Sequence, residues 1–276
     1  MNRVQHVSGL TSAQRKQYVE TEGEQLVEEL LANIGHPNPA VRDELNYRVF
    51  IELVQENVLP PTLLNKMATT LASTAFLYKG IGDGEGDDVF TRSFSALTLT
   101  ALFHADKQLA FLSTEEAQTL MEQCLPYLAK ERDVRGFVEQ KGWAHSIAHG
   151  ADLGAAILTH PHAKIQYGAQ LLQGVKASMW KGRVYQDDED ERLVKIVEAL
   201  IANEFPEDVL VEWMEQLFDR LEGELYQTGY TPAFFHARTN TLHFAKTLYF
   251  TLKFSQQYDK LRGVTSIFIA KWMKVQ

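Results

Sequence analysis

Residues 133–152 read DVRGFVEQKGWAHSIAHGAD, and the second half of this stretch decides the fold. Beyond Trp143, apolar residues cover most of the circumference of a helix, a pattern that is typical of a helix buried among others. His145, His149 and Asp152 are spaced i, i+4 and i+7, so on a helix they fall on one stripe. We therefore predict a buried helix with one polar seam, and a buried polar seam needs partners.

Amphipathic helical periodicity recurs along almost the whole chain, whereas alternating strand-like runs are nearly absent. Prolines and glycines separate the periodic segments by short turns, and helices joined by short turns lie side by side. The sequence therefore predicts an all-α protein. The predicted helices cover residues 12–34, 40–57, 61–78, 88–104, 114–129, 143–159, 164–179, 188–203, 207–227, 232–256 and 261–273.

Helix starts that carry a polar residue before an apolar run recur about every 50 residues, close to the period of two-helix solenoid units. They are Arg42, Arg92, His145, Arg192 and Asn240. We predict antiparallel helical hairpins in a short right-handed α-α superhelix, a HEAT/armadillo-like solenoid, whose inner helices line a concave face. Any row of antiparallel helices also gives roughly even spacing, and that interpretation stays open.

We expect one domain, because 45% hydrophobic residues in a chain of 276 can supply a continuous core. This single all-helical domain comprises residues 1–276. We assign residues 1–39 to an N-terminal helix and cap, 40–256 to the helical-hairpin repeats and 257–276 to a C-terminal cap helix.

Composition narrows the functional classes. A net charge of −9 and a pI near 5.5 argue against a nucleic-acid binder that depends on a basic face. The single cysteine, Cys124, excludes an intrachain disulfide and fits a reducing compartment. The sequence has no run of about 18 uncharged apolar residues, and its start lacks the apolar run of a signal peptide. We expect a cytoplasmic protein without nucleic-acid or membrane partners, and the sequence leaves its oligomeric state open.

His145, His149 and Asp152 are candidate ligands of a divalent metal ion such as zinc, because imidazole and carboxylate groups suit that ion. Asp133 is a candidate fourth ligand. Ser146 stands where the known metalloprotease motif has its general-base glutamate, so the sequence does not support that chemistry. In the alternative interpretation, the two aspartates bind arginines in a structural network.

Other conspicuous segments have simpler interpretations. The glycine-rich residues 79–90 lack the Gly-Lys-Ser/Thr ending of a phosphate loop and the ligand order of a calcium loop, so we interpret them as a flexible loop. The acidic run 187–192 is typical of a solvated helix N-terminus. The aromatic residues between Phe234 and Phe254 have helical spacing, which favours core packing.

Taken together, several segments resemble the bacterial family called domain of unknown function 2785. They are Arg42-Asp-Glu-Leu, Gly80-Ile-Gly with Asp88-Val-Phe-Thr-Arg-Ser-Phe-Ser-Ala-Leu, Asp133-Val-Arg-Gly, Gly142-Trp-Ala-His-Ser-Ile-Ala-His-Gly-Ala-Asp and Asp190-Glu-Arg-Leu, spread over roughly residues 40–250. The resemblance implies a helical protein and brings no activity with it. It supports treating these segments as one set.

The leading functional hypothesis is a binding protein whose polar concave groove takes a small anionic or polar ligand or a peptide, because arginine forks suit carboxylate and phosphate. A second hypothesis is a metal-dependent hydrolase in which His145, His149 and Asp152 hold a metal that acidifies water. A third is a structural interaction scaffold whose polar network fixes helix register. The candidate ligand-binding residues are Arg42, Arg92, Asp133, Arg135, Trp143, His145, His149, Asp152, Arg192 and Arg238.

Overall fold

A computed structural model describes residues 2–273 and confirms that the protein is all-α. Its helices are α1 (Arg3–Ser8), α2 (Ser12–Ala32), α3 (Pro39–Val41), a π-helical turn (Arg42–Tyr47), α4 (Arg48–Gln55), α5 (Pro61–Leu71), α6 (Asp88–Leu109), α7 (Thr114–Cys124), α8 (Tyr127–Lys130), α9 (Ser146–Leu158), α10 (Tyr167–Ser178), α11 (Glu189–Ala202), α12 (Glu207–Thr228), α13 (Pro232–Ser255) and α14 (Asp259–Met273). Strands β1 (Phe137–Val138) and β2 (Gly142–Trp143) form a small antiparallel hairpin before α9. None of the helices within residues 2–273 has the length and apolar composition needed to cross a bilayer.

Local sequence signals set several helix starts. Thr11 at the start of α2 and Ser113 at the start of α7 each form a capping box with the residue three positions later, so two free backbone N–H groups are bonded at each start. Pro61 and Pro232 occupy the first positions of α5 and α13, where a helix does not need the missing N–H. These signals explain why the predicted starts of these helices agree with the structure.

Four helices that are separated along the chain form a row. Helix α6 packs against α9, α9 against α11, and α11 against α13. The intervening helix α10 packs against α8, and α12 packs against α13 and α14. One cluster of buried apolar side chains extends from Val4 to Leu261 and connects these helices. The row places α9, with its two histidines, between α6 and α11.

Two glycines allow the neighbours of α9 to approach closely. A Cβ atom at Gly150 would lie 2.7 Å from the ring of Tyr127. At Gly154 it would lie 3.0 Å from the Cδ1 atom of Ile196. Most other residues of α9 are buried, which confirms the predicted burial of this helix. Close packing on several sides leaves only a narrow part of its surface open.

The predicted helix 143–159 begins only at Ser146, because the β1–β2 hairpin occupies the residues before it. Gln140 and Gly142 have φ angles of 65° and 76°, a left-handed conformation that an α-helix does not include. The sequence reasoning missed this hairpin because its strands have two residues each and carry no measurable periodicity.

Other boundaries also differ from the prediction. The predicted helix 61–78 ends at Leu71. The predicted helix 114–129 divides into α7 and α8 at Pro126, which has no N–H to donate to the preceding turn. The sequence reasoning did not identify the short helix α1.

Candidate functional site

Arg42 is enclosed by protein and does not face a groove. Its guanidinium lies 4.2 Å from the ring centroid of Phe90 and 4.8 Å from that of Phe94. It donates hydrogen bonds of 2.9 Å to the carbonyl of His36 and 2.8 Å to that of Lys141, and it pairs with the adjacent carboxylate, that of Asp43. Arg42 therefore ties the β1–β2 hairpin to the π-helical turn that precedes α4.

Arg92 has an equally internal role. It forms a two-point ion pair with Glu131, with N···O distances of 2.7 and 2.9 Å, and both side chains are almost completely buried. A third hydrogen bond, of 2.8 Å, goes to the carbonyl of Lys79. Glu131 also accepts bonds from the Tyr127 hydroxyl and from the backbone N–H of Asp133. This network joins α6, α8 and the loop that follows α8.

Asp133 is buried and binds Arg135 within the same loop, with the Nε atom 2.9 Å from Oδ1. Arg135 also donates to the carbonyl of Gly86, which belongs to the glycine-rich loop. The prediction that Arg42, Arg92 and Asp133 face an open groove is therefore wrong. These residues were singled out for their charge, and the structure uses that charge to connect loops inside the protein.

The two histidines lie side by side at the start of α9. His145 has a φ angle of 48° and is the residue that precedes the helix, so it does not share a helical stripe with His149 as predicted. Even so, their rings are stacked with centroids 5.9 Å apart. The exposed Trp143 packs against His145 at a centroid distance of 4.4 Å. The hairpin thus brings three rings together at one end of α9.

The hydrogen bonds of Ser93 determine which nitrogen of His149 carries the proton. The Ser93 hydroxyl donates to the carbonyl of Ala144, and its oxygen lies 2.8 Å from Nδ1 of His149. Because a hydroxyl has one proton, Nδ1–H of His149 must be the donor in the second bond. No protein atom within residues 2–273 hydrogen-bonds to Nε2. His149 therefore presents Nε2 as a hydrogen-bond acceptor.

Asp152 lies one turn further along α9 and binds two cations. Arg192 donates through Nε at 2.8 Å and through a second guanidinium nitrogen, and Lys195 lies 3.4 Å away. Among residues 2–273, no three His, Cys, Asp or Glu side chains are arranged to hold a metal ion. The zinc-site prediction at His145, His149 and Asp152 therefore has no support in this geometry, since the carboxylate is bound by arginine.

We call Trp143, His145, His149, Asp152, Arg192 and Lys195 the histidine–arginine site. Burial lowers the pKa of His145, while the nearby carboxylate of Asp187 acts in the opposite direction. Burial, His145 and the positive charge of Arg192 lower the pKa of His149 to about 3. His149 is half-buried as a residue, and the protein packs densely around its ring, which meets Phe94 edge-on. His149 is consequently neutral at physiological pH.

We predict that His149 does not titrate between pH 5 and 8 and keeps its proton on Nδ1. The folded pKa lies below the unfolded value near 6.5, so this group's contribution is fully present above pH 6.5 and is lost as the pH falls towards 3. By pH 5 the loss amounts to about 2 kcal/mol. Imidazole ¹⁵N spectra measure the protonation, and His149→Gln identifies the resonances.

The His149→Gln variant is also the control for the pH dependence of the unfolding free energy. Between pH 7 and 5 the wild type should lose about 2 kcal/mol more unfolding free energy than His149→Gln, because other histidines such as His160 are common to both. A titration midpoint of His149 near pH 6.5 would refute this prediction.

Three features of the site were not predicted from sequence. Ser93 fixes the tautomer of His149, and Lys195 supplies the second cation beside Asp152. Asp187 reaches the hairpin through the backbone N–H of Phe137 at 3.3 Å. A side chain at Gly136 would collide with that carboxylate. In the sequence, Gly136 could have indicated that another group approaches the backbone closely there. A single glycine does not show which residue that group belongs to.

Arg238 does not join the other candidates. It lies on α13 and donates a 2.8 Å hydrogen bond to the carbonyl of Trp272 on α14. Within the described chain, no hydrogen bond, ion pair or ring contact links it to the histidine–arginine site. The prediction of one site containing all ten residues is therefore wrong for Arg238 also.

Comparison with known families identifies the class of protein. The model of the family described as "Protein of unknown function (DUF2785)" matches residues 77–250, which is well over half of the chain. The chain belongs to this family. The match contains the whole histidine–arginine site but not Arg42. Searches of curated proteins and of solved structures gave no match.

Proposed function

We propose that this protein is a binding protein whose histidine–arginine site recognises a small anionic or polar ligand. In this proposal the row α6, α9, α11 and α13 forms the inner layer of a short right-handed α-α superhelix. The pairwise packing of these helices supports that arrangement, as does the position of α12 against both α13 and α14. The open side of the inner layer is then the binding face.

We base this proposal on the pair of cations that lies beside Asp152. Arg192 and Lys195 are two cations on one carboxylate, and the adjacent His149 is neutral. The side chain of Arg192 is 31% exposed, so ligand oxygens can approach it from solvent. Arginine and lysine side chains in this setting favour carboxylate or phosphate groups.

Nearby carboxylates limit where the anionic part of the ligand can lie. Asp187 and Asp188 act electrostatically on His145. Asp187 is bound by the N–H of Phe137, and Asp188 is exposed to solvent. An anion at Arg192 would keep away from this acidic side, whereas a neutral or hydrogen-donating part of the ligand can approach the rings of His145 and Trp143. A compact ligand with one anionic end fits this division.

The two alternatives receive unequal support. The hydrolase alternative has little support, because a pKa of about 3 makes His149 a weak base. Its metal-dependent mechanism also requires a third ligand, and Asp152 is bound by Arg192. A structural scaffold is favoured by the buried networks of Arg42 and Arg92. It gives no role to the partly exposed histidines.

Isothermal titration calorimetry with inorganic phosphate tests the proposal. We expect phosphate to bind the wild type and to bind Arg192→Gln at least about tenfold more weakly, because a charge-assisted bond is lost. Arg262→Gln is the matched control, since Arg262 is 32% exposed and also pairs with one aspartate, Asp259. Its affinity for phosphate should equal that of the wild type.

Thermal unfolding of each variant separates binding from folding. Equal phosphate affinity in Arg192→Gln and the wild type would contradict the proposal, as would the absence of binding to the wild type. Zinc chloride is a separate titrant for the hydrolase alternative. Tight zinc binding that disappears in His149→Gln would favour that alternative over anion recognition.

A further inference from the structure

A cleft lies between α12, α13 and α14, and none of the residues of the histidine–arginine site lines it. Its volume is about 870 Å³, within the range typical of small-molecule pockets. Aromatic side chains line it, and two of them are unusually exposed: Tyr226 at 92% and Tyr230 at 73%. Phe235 and Trp272 complete the apolar wall. We call this the C-terminal cleft.

Arg238 gives the C-terminal cleft a positive charge. The guanidinium donates to the carbonyl of Trp272, and within residues 2–273 no carboxylate lies within 4.0 Å of it. The other charged residues of the lining, Glu222 and Lys271, form an ion pair with each other. The cleft is therefore mainly apolar, and its one remaining cation has no charged partner among residues 2–273.

Gly223 provides an independent observation. It lies in the interior of α12, where glycine is unfavourable relative to alanine. A Cβ atom at Gly223 would meet no other atom within 4 Å, so packing against the protein does not require glycine there. Gly150 and Gly154 differ, because neighbouring side chains exclude a Cβ at both. Glycine at position 223 widens the cleft at the cost of helix stability.

We propose that the C-terminal cleft binds a small amphipathic carboxylate, such as a medium-chain fatty acid or an aryl acid. Its carboxylate pairs with Arg238, and its apolar part lies among Tyr226, Tyr230 and Trp272. Apolar walls with one placed charge are the arrangement that orients such a ligand. This site is independent of the histidine–arginine site.

Comparing the affinities of octanoate and octan-1-ol separates the contribution of the ligand's carboxylate charge from that of its apolar chain. By calorimetry, octanoate should bind the wild type more tightly than octan-1-ol does. Arg238→Gln should weaken octanoate at least about tenfold and leave octan-1-ol unchanged. Lys253→Gln, which removes an exposed cation from the same helix, should change neither affinity.

Gly223→Leu tests the cleft without threatening the fold. It should raise the melting temperature by roughly 2 °C, since leucine favours the helix, and abolish octanoate binding by filling the cleft. Octanoate binding that Arg238→Gln or Gly223→Leu does not weaken would overturn the proposal, as would a failure of octanoate to bind the wild type.

Two other occupants are also testable. If the wild type forms a dimer that Tyr226→Ala dissociates, the cleft is an interface with a second copy and the proposal is wrong. If octanoate binds only to a chain that ends at Met273, the chain's own last residues occupy the cleft, and the proposal is again wrong. Equal binding to the full and shortened chains supports it.

Discussion

Replacing Arg92 with methionine is expected to destabilise the protein by about 3–5 kcal/mol. The substitution keeps an unbranched apolar stem but removes the guanidinium, so the carboxylate of Glu131 is left without its cation. Glu131 has no exposed surface, so water cannot replace the lost interaction. Its remaining partners, the Tyr127 hydroxyl and two backbone N–H groups, cannot neutralise a full charge. Chemical denaturation measures this loss.

A double variant tests whether the unpaired carboxylate is the cause. Arg92→Met with Glu131→Met removes both charges, and replacing a buried ion pair by apolar residues is often close to neutral. We expect it to be more stable than Arg92→Met alone. Arg262→Met breaks an exposed pair and should cost less than about 1 kcal/mol. If Arg92→Met were no more destabilising than Arg262→Met, the buried pair would not have the structural role given to it here.

Replacing Arg42 with lysine is expected to cost about 2–4 kcal/mol, although the charge is retained. A guanidinium can lie flat between Phe90 and Phe94 while donating to two carbonyls in different segments, and an ammonium cannot reproduce this geometry. The carbonyls of His36 and Lys141 would lose their donor. Denaturation measures the stability of this variant.

The Arg42→Lys variant should also loosen the β1–β2 hairpin, because Arg42 is bonded to its turn at Lys141. Amide hydrogen exchange should therefore accelerate in residues 137–143. Arg48→Lys, an exposed position one helical segment later, is the control and should leave exchange unchanged. Faster global unfolding without faster local exchange would contradict the proposed link between Arg42 and the hairpin.

Most helices could be predicted from the sequence because they are long and their apolar residues repeat with the helical period. The α6, α9, α11 and α13 segments are of this kind, and a capping threonine followed by proline marks the start of α13. The β1–β2 hairpin could not be predicted in the same way. Its structure depends on long-range bonds from Arg42, which no local pattern records.

The candidate site could be predicted only in part. Sequence identified the histidines and Asp152, but it could not show that Glu131 neutralises Arg92 or that Arg192 binds Asp152. These pairs join residues about 40 positions apart, and no single sequence specifies such a partner. The aromatic residues after Phe234 were predicted to be core, whereas Phe235, Phe250 and Phe254 are exposed. Helical periodicity does not reveal where a stack of helices ends.

In our proposal, neutral histidines and Arg192 form an anion-recognition site, apart from the buried arginines that hold the fold. Imidazole ¹⁵N spectra recorded during a titration with inorganic phosphate test it most directly. We predict saturable shifts of the His145 and His149 signals in the wild type, and none in Arg192→Gln at unchanged melting temperature. Histidine signals that stay fixed in the wild type, or that shift equally in the variant, would contradict it.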